Sequence, residues 1–222
     1  RARVAGFGRQ QRAFDPALTR VGQIALPLAP GGAGIAPRIV VGNANRAVVE
    51  ALASAAAWPF RTALLAGPPR SGKSLLARWF AQQGGGEAID DAQGLDETEL
   101  FHRWNRAQES GTPLLLVSRG EWNIALPDLA SRLGAALHLE IGAPDDAMLA
   151  DLIALHAEMR GLALGPDALA YLAPRAERSH LGAERLVAAI DRLSLERKAA
   201  PTLSIWRDAL EEVLGPEEPR LL

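Results

Sequence analysis

The segment from Gly67 to Ser74 constrains the fold of this chain more than any other. It reads GPPRSGKS and satisfies the pattern G-x-x-x-x-G-K-[ST] in full. A short apolar run, residues 62–66, precedes it, and a stretch with helical periodicity, residues 75–83, follows it. In such a loop backbone N–H groups turn towards phosphate oxygens, and the helix directs the positive end of its dipole to the same point. The alternative is an ordinary Gly/Pro turn before a helix.

The side chains of this loop indicate a nucleotide phosphate site. The Lys73 ammonium can reach the β- and γ-phosphates, and the Ser74 hydroxyl can ligate Mg²⁺. Lys73 is one of two lysines among 24 basic residues, and it falls where the pattern needs a lysine. The predicted phosphate-binding residues are Gly67, Pro68, Pro69, Arg70, Ser71, Gly72, Lys73 and Ser74.

Two adjacent carboxylates, Asp90 and Asp91, follow the next short strand-like run, residues 87–89. After a phosphate loop, one carboxylate at a strand end is expected to hold Mg²⁺, which makes Asp90 a metal residue together with Ser74. The second carboxylate, Asp91, is expected to position the attacking water. Taken alone the pair is a weak signal, and a helix N-terminal cap is the alternative.

Strand-like and helix-like segments alternate from Arg38 to Gly142, and only helical segments follow. This alternation predicts an α/β domain with a parallel sheet, followed by a small all-helical domain. We predict three parts: a flexible N-terminal arm over residues 1–37, an α/β nucleotide-binding domain over residues 38–142, and a helical lid over residues 143–222. The arm is expected to be flexible because a Gly/Pro cluster occupies residues 29–34.

Composition excludes several classes of protein. The chain has no cysteine, so it holds no disulfide framework, cysteine zinc site, iron–sulfur cluster or cysteine nucleophile. A net charge of −2 argues against wrapping nucleic acid as the main function. No apolar run is long enough to span a bilayer and no leader pattern is present, so we expect a cytoplasmic protein without a membrane partner.

The order of these features, with a polar residue after the next strand and then a helical lid, resembles that of AAA+ ATPases. Several segments resemble the AAA+ domain of the bacterial replication initiator DnaA: residues 38–45, 90–93, 101–105, 156–162 and 189–193. Residues 126–133 are similar to the arginine-finger segment of the DnaA-related Hda family. The resemblance covers residues 38–214 and implies bound ADP or ATP with Mg²⁺. It also implies that Arg132 acts on the γ-phosphate of a neighbouring molecule; an ordinary surface arginine near a helix end is the alternative.

The N-terminal arm contains the peptide Gln23-Ile24-Ala25-Leu26-Pro27-Leu28. It matches the Gln-x-x-Leu-Pro-Leu peptide by which the Hda family binds the DNA polymerase sliding clamp. In that mode Gln23 enters a polar pocket and Leu26 and Leu28, separated by Pro27, enter an apolar groove. The alternative is an apolar island that packs back on the core.

The chain also departs from the AAA+ pattern. Lys73 and Asp90 are only 17 positions apart in the sequence, so we expect one strand–helix pair of the usual core to be missing. Ser118 occupies a sensor position, but Arg119 stands where DnaA-like chains have Asp. The sensing arginine of the lid falls on Glu184, with Arg178 and Arg185 nearby as candidate substitutes. A glutamate facing a γ-phosphate is repulsive, so we expect weak or no intrinsic ATP hydrolysis.

Together these features imply a regulator of DNA replication initiation. It would bind ADP or ATP, dock on the sliding clamp, and stimulate ATP hydrolysis by DnaA through Arg132. The chain ends at Leu222, soon after the lid, so we expect no DNA-binding domain and no direct sequence-specific contact with nucleic acid. The alternatives are a self-contained AAA+ ATPase, such as a helicase loader or a DnaA-like initiator fragment, and a scaffold whose loop no longer binds nucleotide. Association into a homo-oligomer stays open.

Overall fold

The computed structural model describes residues 22–25, 38–120 and 122–215. Its strands are β1 (Gly22–Ala25), β2 (Arg38–Val41), β3 (Thr62–Ala66), β4 (Glu87–Ile89), β5 (Leu114–Val117) and β6 (Leu137–Glu140). Four of them form a parallel sheet in the order β4-β5-β3-β6. The predicted parallel α/β class is therefore confirmed.

Helices cover both faces of this sheet and form the C-terminal lid. They are α1 (Arg46–Ala53), α2 (Lys73–Gln82), α3 (Glu97–Ser110), α4 (Pro127–Gly134), α5 (Asp146–Met159), α6 (Pro166–Leu172), α7 (His180–Arg197) and α8 (Leu203–Leu214). All four residues of β5 are buried because α3 and α4 pack on one face of the sheet while α1, α2 and α5 pack on the other. None of the helices in the described ranges is long and apolar enough to cross a bilayer.

Side chains at the helix starts explain where several of the helices begin. Asp96 accepts hydrogen bonds from the N–H groups of Thr98 and Glu99 at the start of α3. Ser179 Oγ accepts the N–H of Gly182 at 2.8 Å and so caps α7. The last helix, α8, begins directly after Thr202, whose side chain makes no capping hydrogen bond.

The connection between α2 and β4 is short. Helix α2 ends at Gln82, and Gly84 and Gly86 lead directly into β4, which forms one edge of the four-stranded sheet. This agrees with the predicted loss of one strand–helix pair. Gly86 has φ +152°, and a Cβ there would lie 2.1 Å from the carbonyl oxygen of Pro113, at the start of β5. Glycine is therefore required for β4 to approach β5.

The core and the lid meet at the turn that follows β2. Asn43 donates from Nδ2 to the carbonyl oxygen of Ala143 at 3.1 Å and accepts the N–H of Asp145 at 2.9 Å. Gly142 donates to the carbonyl oxygen of Ala44 at 3.0 Å. These hydrogen bonds fix the joint between β6 and α5 to the core.

Part of the predicted N-terminal arm is a strand. β1 pairs antiparallel with β2, with Gln23 opposite Val40. Leu26, Pro27 and Leu28, the rest of the clamp-like peptide, lie outside the described residues.

Candidate phosphate and magnesium site

The phosphate-loop segment leaves the carboxyl end of β3 and enters α2. Gly67 has φ +153°, and a Cβ there would lie 3.0 Å from the Cβ of Ile141 and 3.2 Å from its carbonyl oxygen. Gly72 has φ +87° and stands immediately before α2. Both glycines adopt backbone conformations that other residues rarely adopt. The fold therefore places the N-terminus of α2 at the carboxyl edge of the sheet.

Lys73 folds back onto its own loop. Its Nζ donates to the carbonyl oxygens of Gly67 and Pro68 at 2.6 and 2.8 Å. Burial lowers the pKa of Lys73, and the nearby Asp90 carboxylate opposes this shift. A partly desolvated ammonium is stabilised by an anion, so the position favours a phosphate.

Ser71 gives a second indication that the loop is built for a ligand. It is 3% exposed, and its Oγ has no hydrogen-bond partner in the described part of the chain. Buried hydroxyl groups normally have a partner, and an unpaired one calls for water or a ligand. The hydroxyl lies 3.3 Å from the Cβ position of Gly67, so it belongs to the interior of the loop. A phosphate oxygen fits this donor.

One cavity brings six of the predicted site residues together. It has a volume of about 330 Å³ and is lined by Pro69, Lys73, Ser74, Asp90, Asp91, Val117, Ser118 and Arg119. These residues come from the phosphate loop and from the carboxyl ends of β4 and β5, and such an edge is where ligands bind in open α/β sheets.

The cavity suits Mg²⁺ held jointly with a phosphate. Ser74 and Asp90 both line the cavity and supply hard oxygen donors. Within the ranges that the structure describes, no three His, Cys, Asp or Glu side chains cluster as a metal site. Mg²⁺ is commonly held by one or two protein oxygens, several waters and substrate phosphates, so this donor set fits it.

Arg119 occupies part of the same cavity. Its guanidinium forms an ion pair with the carboxylate of Asp91, and its backbone N–H donates to Oε1 of Gln93 at 2.9 Å. Ser118, the predicted sensor, donates its hydroxyl to the carbonyl oxygen of Gly120 at 3.2 Å. In the sequence Arg119 stood out only as a departure from a family pattern, and its contact with Asp91 became evident from the structure.

The lid contacts the loop through Glu184 of α7. Arg70 Nε donates to Oε2 of Glu184 at 2.6 Å, and another guanidinium N–H donates to Oε1. This hydrogen bonding lowers the pKa of Glu184 and raises that of Arg70. The expected repulsion between Glu184 and a phosphate is therefore offset by a cation.

The two candidate substitutes for the lid arginine are both exposed. Arg178 pairs with Asp146 at 2.7 Å, at the start of α5. Arg185 is exposed on α7. Neither lines the cavity beside Lys73. In this structure the arginine that joins lid and loop is Arg70.

Arg132 lies on α4 and packs against α3. Its Nη1 donates to Oδ1 of Asn105 at 2.7 Å, and its guanidinium lies 4.5 Å from the ring centre of Phe101 and 4.4 Å from that of Trp104. These contacts hold the side chain in one position. Arg132 does not line the cavity of its own chain.

Comparison with known proteins shows the fold. No family model matches the chain. Domain III of the replication initiation protein DnaA from Thermotoga maritima is 17% identical over 79% of this chain and 95% of that chain, with a TM-score of 0.63. AMPPCP-bound DnaA from Aquifex aeolicus is 21% identical over 71% of this chain and 65% of that chain, with a TM-score of 0.52. The RuvB Holliday junction branch migration motor of Thermotoga maritima is 21% identical over 77% of this chain and 68% of that chain, with a TM-score of 0.55. The chain thus shares its fold, a parallel α/β core followed by a helical lid, with these DnaA and RuvB structures.

Proposed function

We propose that the chain binds ADP or ATP together with Mg²⁺ in the cavity at the carboxyl edge of the sheet. The observation that carries this proposal is that Lys73, Ser74 and Asp90 line one cavity beside the N-terminus of α2. The cation, the helix dipole and the oxygen donors converge there as the phosphates of a nucleotide require. The unpaired hydroxyl of Ser71 supports the same ligand.

Each residue has a defined task in this proposal. Lys73 exchanges the carbonyl oxygens of Gly67 and Pro68 for phosphate oxygens. Ser74 and Asp90 hold Mg²⁺, which neutralises charge that develops on the phosphate oxygens. Asp91 orients a water molecule.

Slow intrinsic hydrolysis follows from the surroundings of Asp91. Its carboxylate is already paired with Arg119, so it is less available to orient water. The Ser118 hydroxyl is directed to a carbonyl oxygen of its own loop. We infer a protein that holds nucleotide rather than one that turns it over rapidly.

Nucleotide binding is tested with the chain's two lysines. Lys73→Ala is expected to weaken binding of a fluorescent ADP about 10- to 100-fold, because one charge-assisted hydrogen bond to phosphate is lost. Lys198→Ala removes the same charge from the C-terminal end of α7 and serves as the control. If the wild-type protein binds no nucleotide, the scaffold alternative is correct.

We further propose that the protein regulates replication initiation in the cytoplasm. It would dock on the sliding clamp through Gln23, Leu26, Pro27 and Leu28 and stimulate ATP hydrolysis by DnaA. Support comes from the DnaA-like fold and from the position of Arg132 outside its own cavity. A guanidinium outside its own cavity could act on a nucleotide held by another chain, where it would stabilise charge at the γ-phosphate.

This role is tested by mixing the protein with ATP-bound DnaA and DNA-loaded clamp. Arg132→Ala is expected to reduce the acceleration of ATP hydrolysis by about 10³-fold or more. Arg106→Ala, at an exposed position of α3, is the control. Full stimulation by Arg132→Ala would show that the finger assignment is wrong. Gln23→Ala should weaken binding to the clamp and Gln10→Ala should not.

A self-contained ATPase is the second candidate. The pair Asp90 and Asp91 lies in the same cavity as Lys73, and the fold is also that of the RuvB motor. Such a protein would hydrolyse ATP without DnaA and bind DNA. A turnover assay on the isolated protein, with DNA binding measured at a stated salt concentration, separates the two candidates.

A further inference from the structure

A bidentate ion pair joins the lid to the phosphate loop. Arg70 and Glu184 are 114 residues apart in sequence, and both carboxylate oxygens of Glu184 accept N–H groups of the Arg70 guanidinium. Paired hydrogen bonds of this geometry are among the stronger polar contacts in proteins. The Glu184 side chain is 21% exposed and that of Arg70 is 61% exposed, so the carboxylate is the more protected partner.

The backbone of Arg70 indicates that its side chain is needed. Arg70 has φ +64°, in the left-handed region. A non-glycine residue there is strained relative to the right-handed form. Its side chain makes the bidentate contact with α7 from this conformation. Its ion pair with Glu184 therefore accounts for an arginine at this position.

The surrounding charges favour the ionised form of the pair. His156 and Arg160 of the lid both act on Glu184, and both lower its pKa, as Arg70 itself does. A carboxylate only accepts hydrogen bonds and cannot donate one to a phosphate. The lid thus supplies the hydrogen-bond acceptor, the Glu184 carboxylate, and the loop supplies the cation, the Arg70 guanidinium.

We propose that the Arg70–Glu184 pair is a latch that closes the lid on the phosphate loop independently of the γ-phosphate, so that ADP and ATP are held with similar affinity. This inference rests on the proposed nucleotide site. A ligand shifts the position of a lid only as far as it binds the closed state more tightly than the open one. The contact between Glu184 of the lid and Arg70 of the loop is made by two protein side chains, so it does not depend on whether two or three phosphates are bound.

Three variants test the latch. Glu184→Gln keeps the shape but removes the charge, and it is expected to weaken ADP and ATP binding equally, by about 3- to 10-fold. Arg70→Gly removes the cation and relaxes the backbone, and it should do the same. Arg70→Gly combined with Glu184→Arg moves the guanidinium to the lid, where it can reach only the ligand. If that guanidinium pairs with the γ-phosphate, the double variant is expected to bind ATP about tenfold more tightly than ADP.

Hydrogen exchange gives a readout that does not require nucleotide. In the ligand-free protein, Glu184→Gln should speed exchange at the first amides of α7, because the lid opens more often. Arg197→Gln breaks an ion pair within the lid, with Asp208 of α8, at the far end of α7, and should leave both exchange at the first amides of α7 and nucleotide binding unchanged.

Two results would overturn the proposal. One is a wild-type protein that prefers ATP more than tenfold and loses this preference in Arg70→Gly, since Arg70 would then sense the γ-phosphate itself. The other is a Glu184→Gln protein with unchanged exchange in α7. If the wild-type protein binds neither nucleotide, the proposed function fails, and exchange alone decides whether the latch exists.

Discussion

Replacing Gly86 by alanine tests the short connection that brings Asp90 to the site. A Cβ at Gly86 would lie 2.1 Å from the carbonyl oxygen of Pro113 and 2.9 Å from its carbonyl carbon. Both atoms belong to the backbone and cannot rotate away. The same carbonyl oxygen accepts the N–H of Glu87 at 2.9 Å and so opens the ladder between β4 and β5. Alanine therefore forces the two strands apart where their pairing begins.

The size of the effect follows from two contributions. A non-glycine residue at φ +152° is strained by about 1–3 kcal/mol. Loss of the hydrogen bond from Glu87 to Pro113 adds about 1 kcal/mol, and displacement of β4 exposes buried side chains such as Ile89. We expect the free energy of unfolding to fall by about 3–4 kcal/mol.

Urea denaturation of matched variants measures this loss. Gly84→Ala is the control, because Gly84 has φ +74° but nothing lies within 4 Å of its Cβ position. It should lose only about 1 kcal/mol through backbone strain. Equal losses in the two variants would refute the view that close approach of β4 to β5 requires Gly86.

Three further predictions concern single side chains. Burial lowers the pKa of His180 from 6.5 to about 4, and the charges of His156 and Lys73 add to this shift. As the pH falls, the imidazole is therefore protonated in the unfolded chain before it is protonated in the folded protein. The free energy of unfolding should fall by up to about 3 kcal/mol as pH drops through this window, and denaturation of His180→Gln across the same pH range should show a weaker dependence. Arg119→Ala releases Asp91 from an ion pair, and the rate of ATP turnover by the isolated protein should rise as a result. Because the pair is exposed, the increase should be no more than about fivefold, and a slower rate would contradict the inhibitory role of Arg119. Asn45→Ala leaves the N–H of Gly42 and the carbonyl oxygen of Val40 without their buried partner and should cost about 2 kcal/mol in thermal or urea denaturation.

The core of the site could be predicted from sequence because its chemistry is local. The phosphate-loop pattern occupies eight consecutive residues, and Asp90 follows the next strand. Parallel strands share one carboxyl edge, so residues at strand ends meet there without further information. The short spacing of 17 positions from Lys73 to Asp90 similarly predicted the missing strand–helix pair.

The remaining features depend on contacts between distant segments. Glu184 seemed repulsive in the sequence because its partner, Arg70, lies 114 residues away. Arg132 gave no sign that Phe101 and Trp104 would hold its guanidinium, since that contact needs α4 to pack on α3. Side-chain pairing across elements is fixed by tertiary packing, which local periodicity does not encode.

The position of β4 at the edge of the sheet has a consequence for association between molecules. Exposed edge strands are templates for pairing with another chain. β4 has only three residues, begins with the charged Glu87, and is followed immediately by Asp90 and Asp91. Its brevity and negative charge disfavour continuation of the sheet into a second molecule. The protein can thus dispense with an outer strand without gaining a surface prone to aggregation.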